Sequence, residues 1–173
     1  MVIGKPLFTE EQIRVRVHEL GKAINDDYKN KGFLAVGILK GACVFFSDLI
    51  RQIKGPLAMD FIIASSYIDT QTTGKVVVHY DIRQPIEGKD VLLVEDIIDT
   101  GITLNYLREM LLQRGPNSLK ICAFLDKKSR RVADVPVDYV GFEIPDEFVI
   151  GYGVDYNDQF RNLPYISTLK KAT

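Results

Sequence analysis

One short segment, VLLVEDIIDTGIT at residues 91–103, holds the residue types best suited to chemistry. An apolar run leads into Glu95 and Asp96, and Asp99 then opens a loop of small and hydroxyl residues ahead of a helical pattern. Such a loop turns several backbone N–H groups toward one point, where the dipole of the following helix adds partial positive charge. The segment therefore predicts a cradle for a monophosphate. Its members would be Thr100, Gly101, Ile102 and Thr103.

Three carboxylates beside a predicted anion site require an explanation, because they would repel a phosphate. A divalent cation or a row of sugar hydroxyls would remove the repulsion, since carboxylate oxygens bind both. A simpler interpretation is an ordinary helix start with solvated acids, in which Asp99 is the N-cap residue. The spacing alone leaves both interpretations open.

The elements that would position this segment alternate between helices and strands. Thr9 and Gln12 form a capping-box pattern, and the apolar residues after them predict a first helix that ends near residues 30–32. Five short apolar runs follow, which is typical of strands buried on both faces. The runs lie at residues 33–39, 59–65, 90–95, 119–125 and 138–144, and helices are predicted at 42–53 and 103–114.

This alternation predicts an α/β fold, a single domain in which helices flank a mostly parallel sheet. Ligands of such folds bind at the carboxyl ends of the strands, where residues 95–103 would lie. A polar stretch at residues 66–89 interrupts the alternation, and Val76, Val77 and Val78 within it predict a hairpin. Its length indicates a mobile functional loop.

The composition is that of one globular domain. The chain has 173 residues, of which 46% are hydrophobic and 26% charged, with a net charge of -1. This balance offers no basic surplus for a nucleic acid or an anionic membrane. Because no apolar stretch reaches the roughly 18 residues that would cross a membrane, we expect a cytoplasmic protein. Cys43 and Cys122 are expected to be buried free thiols.

The segment VEDIIDTG resembles the phosphoribosyl-pyrophosphate signature of type I phosphoribosyltransferases, and in particular of the hypoxanthine-guanine phosphoribosyltransferases. The likeness extends from near residue 7 almost to the carboxyl terminus. It implies a Rossmann-like core over residues 7–144, a small hood over 145–166 and a mobile lid loop over 65–80. It also implies transfer of a phosphoribosyl group from phosphoribosyl pyrophosphate to hypoxanthine or guanine, with release of pyrophosphate and with Mg²⁺ as the cofactor.

The resemblance assigns roles to residues around the phosphate loop. Glu95 and Asp96 would face the ribose hydroxyls directly or through magnesium, and Asp99 would be the general base that accepts a proton from the purine. Lys40 and Gly41, together with Arg161, would bind the pyrophosphate, and a cis peptide often precedes the lysine in the family. Isolated surface charges are the alternative for these basic residues.

The resemblance places a purine site in the second half of the chain. Lys127 would recognise the base, Phe148 would stack on it, and the backbone of Val149 would read its edge. Asp155 would lie near a second magnesium ion or its waters, and Ser66 and Tyr67 would belong to the lid. Core packing for Phe148 and a turn position for Asp155 are the alternatives.

The chain departs from the family pattern at Ile102, where many relatives carry a basic or polar residue. A side-chain contribution of that position to phosphate binding is therefore not expected. A second hypothesis is a regulatory protein that keeps the fold in order to sense phosphoribosyl pyrophosphate. Such a protein should carry a basic face or a DNA-binding segment, and the sequence offers neither. The resemblance further implies a homo-oligomer, either a dimer or a tetramer.

Overall fold

The structure is a computed structural model that describes residues 2–29, 31–69 and 72–170; of Val2, 67–69 and 72–75 only the backbone is described. Three α-helices are present in this part of the chain, α1 (Glu10–Tyr28), α2 (Cys43–Ile50) and α3 (Ile102–Leu112), together with a short 3-10 helix (Lys128–Arg130). The strands are β1 (Val2–Phe8), β2 (Phe33–Leu39), β3 (Leu57–Asp69), β4 (Thr72–Tyr80), β5 (Asp90–Ile98), β6 (Ser118–Asp126), β7 (Tyr139–Glu143), β8 (Val149–Ile150) and β9 (Ile166–Lys170).

A six-stranded sheet in the order β4-β3-β2-β5-β6-β7 forms the centre of the fold. Its strands run parallel except β4, which pairs antiparallel with β3. The chain leaves β2 toward β3 on one side and later returns to β5 on the other. The carboxyl ends of β2 and β5 therefore meet at a topological switch point, the position at which α/β sheets bind ligands. The predicted α/β fold with a mostly parallel sheet is confirmed.

Two apolar layers cover the faces of this sheet. Leu92 and Val94 of β5 point to the face covered by α1 and α2, whereas Val91 and Leu93 point to the face covered by α3. The alternation follows from the two-residue period of a strand, which makes a strand buried on both faces apolar throughout. The acids at the end of β5 are therefore carried by a strand whose residues 91–95 are all buried.

The element predictions are confirmed in type, and the bounds differ at the ends. The capping box of α1 is present, with Gln12 N–H donating to the hydroxyl of Thr9 and Thr9 N–H donating to Gln12 Oε1. The hairpin predicted from Val76 to Val78 is formed by β3 and β4. Helix α2 is shorter than expected, because the chain turns at Arg51. Cys122 is buried and free as predicted, but Cys43 is only partly buried.

A second sheet was not predicted from the sequence. It has three antiparallel strands in the order β1-β9-β8, so the first residues of the chain pair with the last described ones. The segment at residues 145–166, expected to form a hood, contributes β8 to this small sheet. The sheet also contains residues 2–6 of β1, which precede the expected start of the core at residue 7. None of the helices in the described ranges is both long and apolar enough to span a bilayer.

Candidate active site

A cleft of about 410 Å³ opens at the carboxyl ends of β2 and β5. It brings together many of the residues singled out from the sequence, although they are spread over more than a hundred positions. Those that line it are Lys40, Gly41, Ser66, Glu95, Asp96, Asp99, Thr100, Gly101, Thr103, Asp155 and Arg161. The cleft therefore combines an acidic strand end, a loop before a helix and three basic side chains, since Arg130 lines it as well.

Glu95 and Asp96 lie within the second half of strand β5 rather than after it. The N–H of Asp96 donates to Glu95 Oε1 at 3.0 Å, and the N–H of Ile97 donates to Asp96 Oδ1 at 2.8 Å. Burial, followed by repulsion from Asp96, holds the pKa of Glu95 well above its usual range. Burial also raises the pKa of Asp96. Two adjacent carboxylates, one buried at Glu95 and one partly buried at Asp96, favour the binding of a cation or of hydroxyl donors.

The loop after β2 approaches this acid pair very closely. A Cβ atom placed on Gly41 would lie 1.9 Å from Asp96 Oδ2, so only glycine fits at this position. The peptide bond between Leu39 and Lys40 is cis, as in the pattern that the resemblance implied. The close approach brings the backbone of the lysine loop against the carboxylate at the end of β5.

The phosphate loop predicted at residues 100–103 leads directly into α3. Gly101 is the N-cap residue in a left-handed conformation, with φ of 80°, and a Cβ there would lie 2.8 Å from the carbonyl oxygen of Ala133. Thr100 Oγ1 lies 3.5 Å from the N–H of Ile102, and the Thr100 carbonyl accepts from Val132 and Ala133. Thr103 and Leu104 in the first turn of α3 line the cleft, and the N–H groups of a first helical turn, which lack partners within the helix, are suited to an anion.

Asp99 is not the N-cap of this helix, which rules out the capping interpretation of the acid. Its side chain instead faces Arg130, whose Nε lies 2.8 Å from Asp99 Oδ1. This Oδ1 atom is buried and, within the described part of the chain, accepts no hydrogen bond, because the arginine N–H does not point at it. An acid with a free buried oxygen beside a cation can accept a proton or a hydrogen bond from a ligand.

Sequence reasoning missed Arg130. Its guanidinium also lies 3.6 Å from Asp146, so it bridges the phosphate loop and the hood segment. The one signal in the sequence was its place in a basic run, KKSRR at residues 127–131, just after a predicted strand. Such runs more often form a solvated surface.

The two basic residues predicted to bind pyrophosphate share a hydrogen-bond acceptor, Asp158, that the sequence did not single out. Asp158 Oδ1 accepts from Lys40 Nζ at 2.8 Å and from Arg161 Nη2 at 3.1 Å. Arg161 is held further by Asp155 Oδ1 at 2.7 Å and by the carbonyl oxygen of Gly153 at 2.7 Å. The basic wall of the cleft is thus an organised ion-pair cluster rather than a set of isolated surface charges.

Three of the residues predicted to bind the base do not line this cleft; they are Lys127, Phe148 and Val149. Phe148 exposes 50% of its surface, and its ring meets Tyr156 edge to face at 5.4 Å between centroids. A large aromatic side chain so exposed is suited to stacking and does not belong to the core. Val149 is buried in β8. Ile102 also lies outside the residues that line the cleft.

Lys127 is almost fully buried, with 7% of its surface exposed, although it carries a charge. The backbone N–H of Lys127 donates to the carbonyl oxygen of Ile98, which places the lysine next to the phosphate loop. Its Nζ has no hydrogen-bond partner among the residues that the structure describes. A sheltered ammonium group without a partner is suited to a ligand carbonyl.

Ser66 lines the cleft from β3, and the backbone of Tyr67 continues that strand. The tyrosine side chain and the tip of the β3–β4 hairpin lie outside what the structure describes. The two residues expected at the lid are thus carried by a hairpin that rises beside the cleft.

The described residues contain no cluster of three or more side chains able to hold a metal ion by themselves. Asp155, a predicted metal residue, is paired with Arg161 in the cleft. A site with only one or two available carboxylates fits Mg²⁺, because that ion keeps most of its waters and is commonly bound through one or two carboxylates together with substrate oxygens. Glu95 and Asp96 at the end of β5 supply such carboxylates.

The fold and the cleft define a protein that binds an anionic ligand at the switch point of a parallel sheet, and comparison with known proteins identifies the class. Residues 7–157 match the model of the phosphoribosyl transferase domain. The chain belongs to the phosphoribosyltransferase family, and it is a phosphoribosyltransferase enzyme.

Individual relatives narrow the similarity within this family. The chain is 48% identical to the hypoxanthine-guanine phosphoribosyltransferase of Bacillus subtilis over 98% of its own length and 95% of the relative. It is 51% identical to the protein of the same name from Staphylococcus aureus, over 95% and 92% of the two chains. A crystal structure of a hypoxanthine-guanine phosphoribosyltransferase from Bacillus anthracis superimposes with a TM-score of 0.93 at 46% identity, covering 98% of this chain and 100% of that one.

Proposed function

We propose that this protein is a purine salvage enzyme that transfers the 5-phosphoribosyl group of phosphoribosyl pyrophosphate to hypoxanthine or guanine, giving IMP or GMP and pyrophosphate. The observation that carries the proposal is the meeting of Glu95, Asp96 and Asp99 with the loop before α3 and with Lys40 and Arg161 in one cleft. High identity to relatives named for this activity, over nearly their whole length, supports it.

In the proposed reaction one ring nitrogen of the purine attacks the anomeric carbon while pyrophosphate leaves with the electrons of the broken bond. The N–H groups at the start of α3 would hold the 5-phosphate and so fix the position of the sugar. Asp99 would take the proton from the purine imidazole, which makes the attacking nitrogen a better nucleophile. Its free buried Oδ1 atom supports this role.

Positive charge develops on the sugar and negative charge on the leaving group as the bond breaks. Glu95 and Asp96 lie where they could bind the ribose hydroxyls or a cation, while Lys40 and Arg161 would neutralise the pyrophosphate. Mg²⁺, when bound, would supply further positive charge at the pyrophosphate oxygens. We propose Glu95 and Asp96 at one magnesium site and Asp155 at or near another, the latter through waters.

The purine would stack on the exposed face of Phe148, an interaction worth about 1 to 3 kcal/mol for a base on an aromatic ring. The Nζ of Lys127 would donate to the oxygen at purine position 6, and the backbone of Val149 would read the base edge. Ser66 and Tyr67 would belong to a lid over both substrates. Together these roles describe a 6-oxopurine site rather than an adenine site.

An assay of the purified protein with phosphoribosyl pyrophosphate and Mg²⁺ tests the function directly. Hypoxanthine, guanine and xanthine compete in one reaction, and the nucleotides formed are separated by chromatography. We expect IMP or GMP to form at a rate far above that of a matched reaction with adenine. If no nucleotide forms from any of the three bases, the proposed function is wrong.

A sensing role without catalysis is not favoured, since the chain aligns over nearly its entire length with relatives named as transferases. We propose that the enzyme works in the cytoplasm, does not bind nucleic acid or membranes, and assembles as a homo-oligomer, a dimer or a tetramer. Light scattering coupled to size-exclusion chromatography would measure that state, and a mass of one chain would refute the assembly.

A further inference from the structure

The carboxylate of Asp158 connects two cations that come from distant parts of the chain. Lys40 lies in the loop after β2, and Arg161 lies in the hood segment before β9, yet both donate to the same Oδ1 atom. The side chains of Lys40 and Asp158 are 67% and 65% exposed, so solvent and ligands reach this ion pair. A ligand can therefore enter the place that the carboxylate occupies.

The two cations joined by Asp158 are those that the proposed function assigns to the leaving pyrophosphate. A carboxylate oxygen and a phosphate oxygen accept the same charge-assisted hydrogen bonds from ammonium and guanidinium groups. Asp158 and pyrophosphate thus compete for the same donors. Because both are anionic, they would also repel each other if they occupied the site together.

The carboxylate is held over the cations by its own turn. The N–H of Asp158 donates to Asp155 Oδ2 at 2.8 Å, and Asp158 has a left-handed backbone with φ of 58°. Aspartate and asparagine tolerate this conformation better than most residues. Hydrogen bonds from Lys40 and then Arg161 lower the pKa of Asp158, so the side chain is an anion at neutral pH.

The two cations differ in how firmly the rest of the protein holds them. Arg161 keeps its bonds to Asp155 and to the Gly153 carbonyl if Asp158 moves away. Lys40, by contrast, has no ion-pair partner other than Asp158 among the residues in the described ranges. Loss of Asp158 would therefore free the lysine for a ligand and leave the arginine in place.

On the basis of the proposed function, we infer that Asp158 is a positioning residue that occupies the pyrophosphate subsite of the free enzyme. It holds Lys40 and Arg161 together until the pyrophosphate end of the substrate displaces it, and it returns when pyrophosphate leaves. The competition weakens the binding of pyrophosphate and helps its release. Asp158 does not contact the reacting atoms.

The test compares the unmodified protein with Asp158→Asn, which keeps the shape and the tolerated backbone but removes the charge. Asp26→Asn, on the exposed face of α1, is the matched control for the change in net charge. Isothermal titration calorimetry measures the binding of inorganic pyrophosphate with Mg²⁺ to all three proteins. Circular dichroism and thermal unfolding check that each variant is folded.

We expect Asp158→Asn to bind pyrophosphate about two- to fivefold more tightly, the range for loss of a competing exposed ion pair. The KM for phosphoribosyl pyrophosphate should fall by a similar factor without a rise in kcat, while Asp26→Asn remains unchanged. A merely structural role could not produce tighter binding. Pyrophosphate binding that is unchanged or weaker in folded Asp158→Asn would overturn the inference.

The outcome is separable from that of the proposed function. If the unmodified protein forms IMP or GMP but Asp158→Asn shows no tighter binding, the inference fails and the function stands. If the unmodified protein forms no nucleotide from any 6-oxopurine, the function fails whatever the titration of pyrophosphate shows.

Discussion

Asp99 stands beside a cation in the cleft, and its buried Oδ1 atom accepts no hydrogen bond from the residues that the structure describes. This arrangement suits a proton acceptor. The Nε atom of Arg130 lies 2.8 Å from that oxygen. Asp99→Asn would keep the shape of the side chain and remove its capacity to take a proton. We expect a loss in kcat of about 10²-fold or more, with little change in the binding of phosphoribosyl pyrophosphate.

Asp146→Asn is the control for this variant, because Asp146 also faces Arg130 but from the hood segment. Steady-state kinetics at neutral pH would measure both variants. Near-normal turnover of Asp99→Asn would refute its assignment as the general base. An equal loss in Asp146→Asn would show that the charge balance of Arg130, rather than proton transfer, is what turnover requires.

Lys127 is buried with its Nζ available, and its position predicts why the base should carry an oxygen at position 6. An ammonium group has only donors, so it satisfies a carbonyl but faces the donor hydrogens of the adenine amino group. The mismatch costs about 1 to 3 kcal/mol for an unpaired buried group, or roughly ten- to a hundredfold in discrimination. Lys127→Gln adds an acceptor, so the ratio of hypoxanthine to adenine efficiency should fall.

Measurement of kcat/KM for both bases checks this expectation. Lys128→Gln is the matched control, because that neighbouring lysine is exposed and paired with Glu143. A ratio that Lys127→Gln leaves untouched would mean that specificity comes from the backbone around Val149 instead of from the lysine.

Single residues were predictable where a local pattern carries the signal. The acid pair, Asp99 and the loop to Thr103 form one continuous segment, and the structure places most of it in the cleft. Arg130 and Asp158 were not predictable in this way, because their partners are distant in sequence. The side chain of Asp158 meets Lys40 across 118 positions, and no local pattern records such a contact.

Helices and strands, like single residues, were predictable where the signal is local in the sequence and were missed where it depends on a distant partner. The buried strands of the parallel sheet were predicted from continuous apolar runs, and the start of α1 from its capping box. The predicted ends of the three helices lie about two to four residues beyond the observed ones. Strand β1 was missed because its partner is β9 at the other end of the chain. A strand in a small antiparallel sheet has a weaker apolar pattern, and its pairing depends on the folded arrangement of the rest.

The β3–β4 hairpin is predicted to act as a lid, since Ser66 lines the cleft at its base. Closure would exclude water, which could otherwise capture the reactive sugar. Deletion of residues 67–74 should leave a folded protein, because the sheet order places β4 at an edge. We expect a much lower kcat and detectable hydrolysis of phosphoribosyl pyrophosphate in the absence of base.

Release of pyrophosphate and formation of nucleotide, measured in parallel, separate hydrolysis from transfer in the deletion variant. Replacement of residues 67–74 by a glycine and serine linker of equal length distinguishes loss of the lid from a change in strand spacing. Unchanged transfer kinetics in both variants would show that the hairpin is a passive connection.

At the scale of the whole molecule, the cleft brings acidic residues from one strand of the sheet next to a basic loop that follows another strand. The acid pair comes from β5 and the lysine loop from β2, and Gly41 brings them into contact. Burial and mutual repulsion raise the pKa of Glu95, so these acids favour a bound cation. Phosphoribosyl pyrophosphate carries several negative charges of its own. The protein and its substrate are therefore both expected to require Mg²⁺ before they associate.

This requirement predicts that the substrate stabilises the fold only when the metal is present. A ligand at a hundred times its Kd adds about 2.7 kcal/mol to the free energy of unfolding, and each kcal/mol raises Tm by about 2 to 4 °C for a chain of this size. Phosphoribosyl pyrophosphate with Mg²⁺ should thus raise Tm by about 5 to 10 °C, and a chelator should abolish both this rise and the activity. Restored Mg²⁺ should recover both. Full activity in chelator would contradict the role of the metal, and an equal rise in Tm without metal would show that Lys40, Arg161 and the helix amides suffice to bind the substrate.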